Sequence, residues 1–124
     1  MKAIIEQLTQ AFGPSGYETE VTALIREMIK DQADEIRTDV LGNLIAVKNG
    51  SPDGKKIMFA AHTDEIGIVI TYIDDKGFLR FSNVGGVGIA TLVGSRVRFA
   101  NGTIGVIYQE GKTQWKELTL DKLY

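Results

Sequence analysis

Apolar residues recur at two different spacings along this chain, and the change from one to the other divides it. From Lys2 to Phe12, Ile4, Ile5, Leu8, Ala11 and Phe12 follow the helical period and predict a short helix with one buried face, stopped by Gly13-Pro14. Ser15-Gly16-Tyr17-Glu18 has the serine-to-glutamate spacing of a capping box. Behind it Val21, Leu24, Ile25, Met28 and Ile29 keep the helical spacing, predicting a second helix with Glu18 in its cap. Ala33 to Val40 reads as a strand, Leu41-Gly42-Asn43 as a turn, and Leu44 to Lys48 as the strand that pairs with the first.

After the loop Asn49 to Gly54, five apolar residues, Ile57-Met58-Phe59-Ala60-Ala61, run straight into the polar cluster His62-Thr63-Asp64-Glu65. Such a run predicts a buried central strand, and in open α/β sheets ligands gather at the carboxyl ends of strands. On an extended backbone His62 and Asp64 point one way, Thr63 and Glu65 the other. From Ile68 onward the period shortens. Ile68 to Ile73, a turn at Asp74 to Gly77, and Phe78 to Phe81 predict a hairpin, and Val84 to Gly88 a glycine-rich loop. One helical turn over Ala90 to Val93 precedes a second hairpin, Arg96 to Phe99 and Thr103 to Tyr108, closed at Asn101-Gly102. Short strands with tight turns suggest a small β-barrel or sandwich. The expected division is an α/β part over residues 1–68 and a β part over residues 69–124. Trp115 to Tyr124 ends the sequence on an apolar note, with Leu118, Leu120, Leu123 and Tyr124, an ending that a truncated chain would also have.

Composition narrows the function classes. At 124 residues, 44% hydrophobic and 24% charged, the chain is long enough to bury a core and has the balance of a folded domain. A net charge of -2 makes no electrostatic case for nucleic acid. The absence of cysteine excludes disulfides and thiolate metal sites and fits a reducing compartment. Glu6 and Gln7 interrupt the N-terminal apolar run too early for a signal peptide, and no stretch approaches a membrane span, so a cytoplasmic protein is expected.

Candidate chemistry centres on His62, the one histidine, and on Asp64. A ligating histidine usually donates its other ring N–H to an acceptor such as a carboxylate. A lone histidine supplies one of the four or so ligands that zinc takes, so by itself the pair reads first as an ordinary histidine near an acid. Gly85-Gly86-Val87-Gly88 lacks the Lys-Ser/Thr of a phosphate loop and reads as a connector. Asp64 and Glu65 face opposite sides of a strand and cannot flank a glycosidic bond.

The context adds more. Ala61-His62-Thr63-Asp64-Glu65-Ile66-Gly67, then Ile73 to Phe81 and Gly85-Gly86, strongly resemble the M42 metallo-aminopeptidases, which include tetrahedral and glutamyl aminopeptidases. Gly13-Pro14-Ser15-Gly16-Tyr17-Glu18 and Asp39-Val40-Leu41-Gly42-Asn43-Leu44 resemble that family's upstream signatures, in the same order. The resemblance implies an α/β aminopeptidase domain interrupted by a PDZ-like or barrel-like β domain, two divalent metals, zinc or cobalt, and a glutamate base. It implies that His62 binds one metal and that Asp64 orients it. It also implies homo-oligomers, from dimers to dodecamers built through the inserted domain, that act on peptides. The family's bridging aspartate, Glu-Glu pair, further carboxylate and second histidine have no counterpart here. The expectation is therefore the N-terminal third or so of such an enzyme, inactive alone and prone to associate. The contrasting reading is a non-catalytic fragment or interaction module.

Overall fold

Two helices open the chain where the apolar spacing places them. In the computed structural model, which describes residues 1–111 and 114–124, α1 spans Lys2–Gln10 and α2 spans Thr19–Ile29. Burial departs from the pattern. None of the α1 residues is buried, and Ile4 and Ile5 remain 49% and 55% exposed. On α2 only Val21 is buried, while Leu24, Ile25, Met28 and Ile29 are half-buried. An apolar stripe is buried only where another apolar surface faces it. Residues 1–64, the first of two compact units, supply too little of one.

The first strand pair forms as expected but shorter: β1 (Glu35–Thr38) lies antiparallel to β2 (Leu44–Val47), with Glu35 opposite Val47 and Thr38 opposite Leu44. Residues 57–61, expected to be a central strand, form none. Ile57, Met58 and Phe59 are 77%, 87% and 93% exposed. A central strand exists only when neighbours satisfy its backbone groups on both edges, and β2 pairs with β1 alone. The apolar run has the composition of a core strand without the ladder that would make it one.

The second unit, residues 65–124, closes a core of its own. Strands β3 (Gly67–Ile73) and β4 (Leu79–Val84) form the predicted hairpin, with a bulge between Ile70 and Tyr72. The short helix α3 (Ile89–Leu92) and the hairpin of β5 (Arg96–Arg98) and β6 (Ile104–Val106) follow. Phe81, Leu92, Ile107 and Leu123 make a common buried cluster, the last two essentially without exposure. Each ladder of the described residues has two strands. After Val106 the backbone turns to other partners, Ile107 N–H to the Ser95 carbonyl at 3.0 Å and Tyr108 N–H to that of Tyr124 at 2.8 Å. The apolar end is thus part of the core. Two 3-10 turns, Trp115–Glu117 and Leu120–Lys122, carry the chain back to place Leu123 inside. The Arg80 guanidinium ties that end down. It donates to the Asp121 carbonyl at 3.0 Å and to Glu110 at 2.9 Å, and lies 5.7 Å from the Tyr124 ring centre.

One loop design serves all three hairpins. In Asp39–Asn43, Asp74–Phe78 and Phe99–Thr103 the first N–H bonds to the fifth carbonyl, and the glycine N–H returns to the first carbonyl. The fourth residue must adopt positive φ, which is why it is Gly42 (88°), Gly77 (85°) and Gly102 (84°). In the first two loops the leading aspartate also accepts two loop amides at 2.9 Å each, from Leu41 and Asn43 and from Lys76 and Phe78. The third has Phe99 in that position, and Asn101 Oδ1 accepts the Thr103 N–H instead.

Candidate active-site polar cluster

The loop between the helices is held at several points. Phe12 N–H donates to Glu20 Oε1 at 2.9 Å, and Gly16 N–H donates to Glu18 Oε1 at 2.7 Å. A tight turn joins the Tyr17 N–H to the Pro14 carbonyl at 2.7 Å, with Gly16 at a φ of 88°. Gly13 sets how deep the loop sits. A Cβ there would lie 2.7 Å from Val21 Cγ1, so glycine lets the loop rest against α2, while the Thr63 carbonyl oxygen, at 3.7 Å from that position, is at ordinary contact distance.

This arrangement replaces the expected capping box. Glu18 occupies the N-cap position of α2 without a side-chain cap bond, because its carboxylate is engaged by Gly16. The Ser15 hydroxyl is likewise not a cap: it donates to Asp64 Oδ2, 49 residues on. A serine before a helix can satisfy either a backbone N–H or a distant acceptor. Here the turn aims it at the distant one.

The structure brings together the two residues singled out by the sequence. His62 Nδ1 lies 2.9 Å from Asp64 Oδ1 and 3.0 Å from the Asp64 carbonyl. Both partners are acceptors, so Nδ1 carries a hydrogen, and in the neutral ring the lone pair is then on Nε2. The imidazole is 85% exposed. Asp64 accepts from Ser15 on one oxygen and from His62 on the other. The Ser15 hydroxyl, and secondarily His62, hold its carboxyl below the usual carboxylate value. Ser15 is the site residue that sequence reasoning placed elsewhere. The available signal was the Pro14-Ser15-Gly16-Tyr17 turn, whose geometry competes with capping.

The donor set can be tested against a metal. A neutral imidazole with a free Nε2, backed by a carboxylate on Nδ1, has the chemistry of one metal ligand. Among the described residues no three histidine, cysteine or carboxylate side chains gather to hold an ion. One ligand position fits, and a complete centre does not.

Comparison with known proteins places the chain in a family. A family profile described as M42 glutamyl aminopeptidase matches residues 42–121. A protein of Acetivibrio thermocellus assigned as an aminopeptidase is 54% identical over 122 residues, which are 98% of this chain and 36% of that protein. The solved aminopeptidase of the archaeon Desulfurococcus kamchatkensis superposes with a TM-score of 0.86 at 40% identity, covering 98% of this chain and 35% of the other. The Pyrococcus horikoshii TET1 peptidase, which can assemble into a tetrahedron or a large octahedral shell, superposes with a TM-score of 0.80 at 35% identity, over 96% of this chain and 38% of its own. The chain therefore spans little more than a third of each of these proteins. With its mixed helix and strand architecture, and with a family profile matched from the first hairpin loop through the last 3-10 turn, it belongs to the M42 glutamyl aminopeptidase family.

Proposed function

We propose that this chain is the N-terminal part of a dinuclear-metal aminopeptidase that removes N-terminal residues from peptides in the cytoplasm. The observation that carries the reading is the His62 and Asp64 pair, with Nδ1 held at 2.9 Å and the imidazole exposed, in a chain of this family. In this reading His62 Nε2 is one metal ligand and Asp64 orients it. The other ligands and the general base lie in sequence beyond this chain. The two metals, zinc or cobalt, supply Lewis acidity and an activated water. Residues 1–68 then belong to the α/β peptidase domain and residues 69–124 to a PDZ-like inserted domain. Self-assembly follows the precedent of the tetrahedral relative.

The test is activity and metal content in a protein extended through the rest of the reading frame. The extended protein should release amino acids from unblocked peptides only with metal, and His62→Ala should lose one metal and most turnover. The 124-residue chain should be inactive, since it offers one ligand. Unchanged metal stoichiometry in His62→Ala would remove His62 from the site. The run of exposed Ile57, Met58 and Phe59 favours a second reading for the chain by itself, that of a non-catalytic module that associates through this apolar run.

A further inference from the structure

We infer that Ser15 is a positioning residue of this site: its hydroxyl locks the Asp64 carboxylate, and through it selects the His62 tautomer that presents Nε2. A carboxylate held by a single hydrogen bond can still rotate about its own axis. Asp64 is held at both oxygens, by His62 on Oδ1 and by Ser15 on Oδ2, and the second donor comes from a segment 49 residues away. Ser15 is itself fixed by the Pro14 to Tyr17 turn and by the close approach at Gly13.

Directionality follows from donor chemistry. An ionised carboxylate only accepts, so the serine must donate to Oδ2 and the imidazole must donate from Nδ1. The order is serine, aspartate, histidine. Ser15 therefore has a carboxylate beside it where a hydrolase triad has the imidazole, and it is not a nucleophile of that kind. Its role is to stop the carboxylate from swinging away, which would leave the ring free to turn and to exchange its proton between nitrogens.

The significance for metal binding rests on the function proposed above, but the test does not. With one histidine in the chain, long-range proton–nitrogen-15 spectra of the ring report the tautomer ratio directly. Measured at about pH 8, where an imidazole is neutral, the wild-type ring should favour Nδ1–H. Ser15→Ala should shift the ratio toward Nε2–H by about threefold, the loss of one modest hydrogen bond. The shift is bounded because the Asp64 carbonyl, 3.0 Å from Nδ1, remains as an acceptor. Ser15→Thr retains the hydroxyl and should restore the wild-type ratio. Ser15→Cys, a weak donor of similar size, should fall between serine and alanine and repeats the test should alanine disturb the loop. A ratio unmoved in Ser15→Ala or Ser15→Cys, or a wild-type ring without the Nδ1–H preference, overturns the inference. A failed function instead shows in the metal content of His62→Ala, so the two outcomes stay separate.

Discussion

Residues 1–64 and residues 65–124 are nearly equal in length, yet they use their apolar residues in opposite ways. The second unit brings Phe81, Leu92, Ile107 and Leu123 into one buried cluster. The first buries one large apolar side chain, Val21, and exposes Val40, Leu41, Ile57, Met58 and Phe59 almost completely. Composition does not separate the two, since both are rich in Ile, Val and Leu. Connectivity does. The second unit contains both hairpins and the returning end that cover each other. The first contains a helix pair, a hairpin and a strand-like run with nothing to pair against. Apolar content is a property of a segment, whereas burial is a property of its partners.

That contrast can be broken by substitution. The largest effect should come from Leu123→Ala or Ile107→Ala, each expected to cost about 2–5 kcal/mol in denaturant unfolding. The hydrogen exchange of β3 to β6 should quicken accordingly. A cost below 1 kcal/mol would mean that the cluster is not a working core. Next comes Gly13→Ala, whose methyl would press on Val21 and should cost about 1–3 kcal/mol, read by the same unfolding measurement. A neutral result would show that the first unit gives way more easily than its packing indicates.

A smaller effect is expected from acid. The Asp64 carboxyl is lowered in the folded chain by Ser15 and then by His62. Its stabilising contribution is therefore complete above the ordinary value of 3.8 and disappears as pH falls through the lower folded value. Carboxyl carbon-13 shifts of Asp64 should titrate below 3.8, and Ser15→Ala should move that midpoint upward. A midpoint that ignores Ser15 would place the main cause elsewhere. The smallest effect is Phe59→Asp: on a residue 93% exposed, stability should change by no more than about 0.5 kcal/mol. Solubility, followed by light scattering, should rise. A cost approaching that of Leu123→Ala would erase the contrast between an open and a closed unit.

Local signals in the sequence were legible where the structure depends on local chemistry. Both helices, the three hairpin loops with their glycines and the shared side of His62 and Asp64 all follow from spacing or turn rules acting within a few residues. What escaped depends on distant partners. Ser15 matches a capping box by spacing, but its hydroxyl finds Asp64, and no rule of spacing reaches 49 residues. Residues 57–61 match a core strand, but pairing decides whether a strand exists. Leu123 resembles a loose apolar end until Arg80 and Tyr108 are seen to hold it. The metal role proposed for His62 rests on the family resemblance and not on a local rule, since one ligand says nothing about where the others are.

Gly13 has a consequence for descent. A single methyl group there meets Val21 at 2.7 Å, so positions 13 and 21 share one allotment of space. Relatives that carry alanine at 13 should compensate with a smaller residue at 21. Those that keep valine should keep glycine. The two positions should therefore drift together through the family as a linked pair, and the loop that presents the serine would be preserved by a constraint on volume.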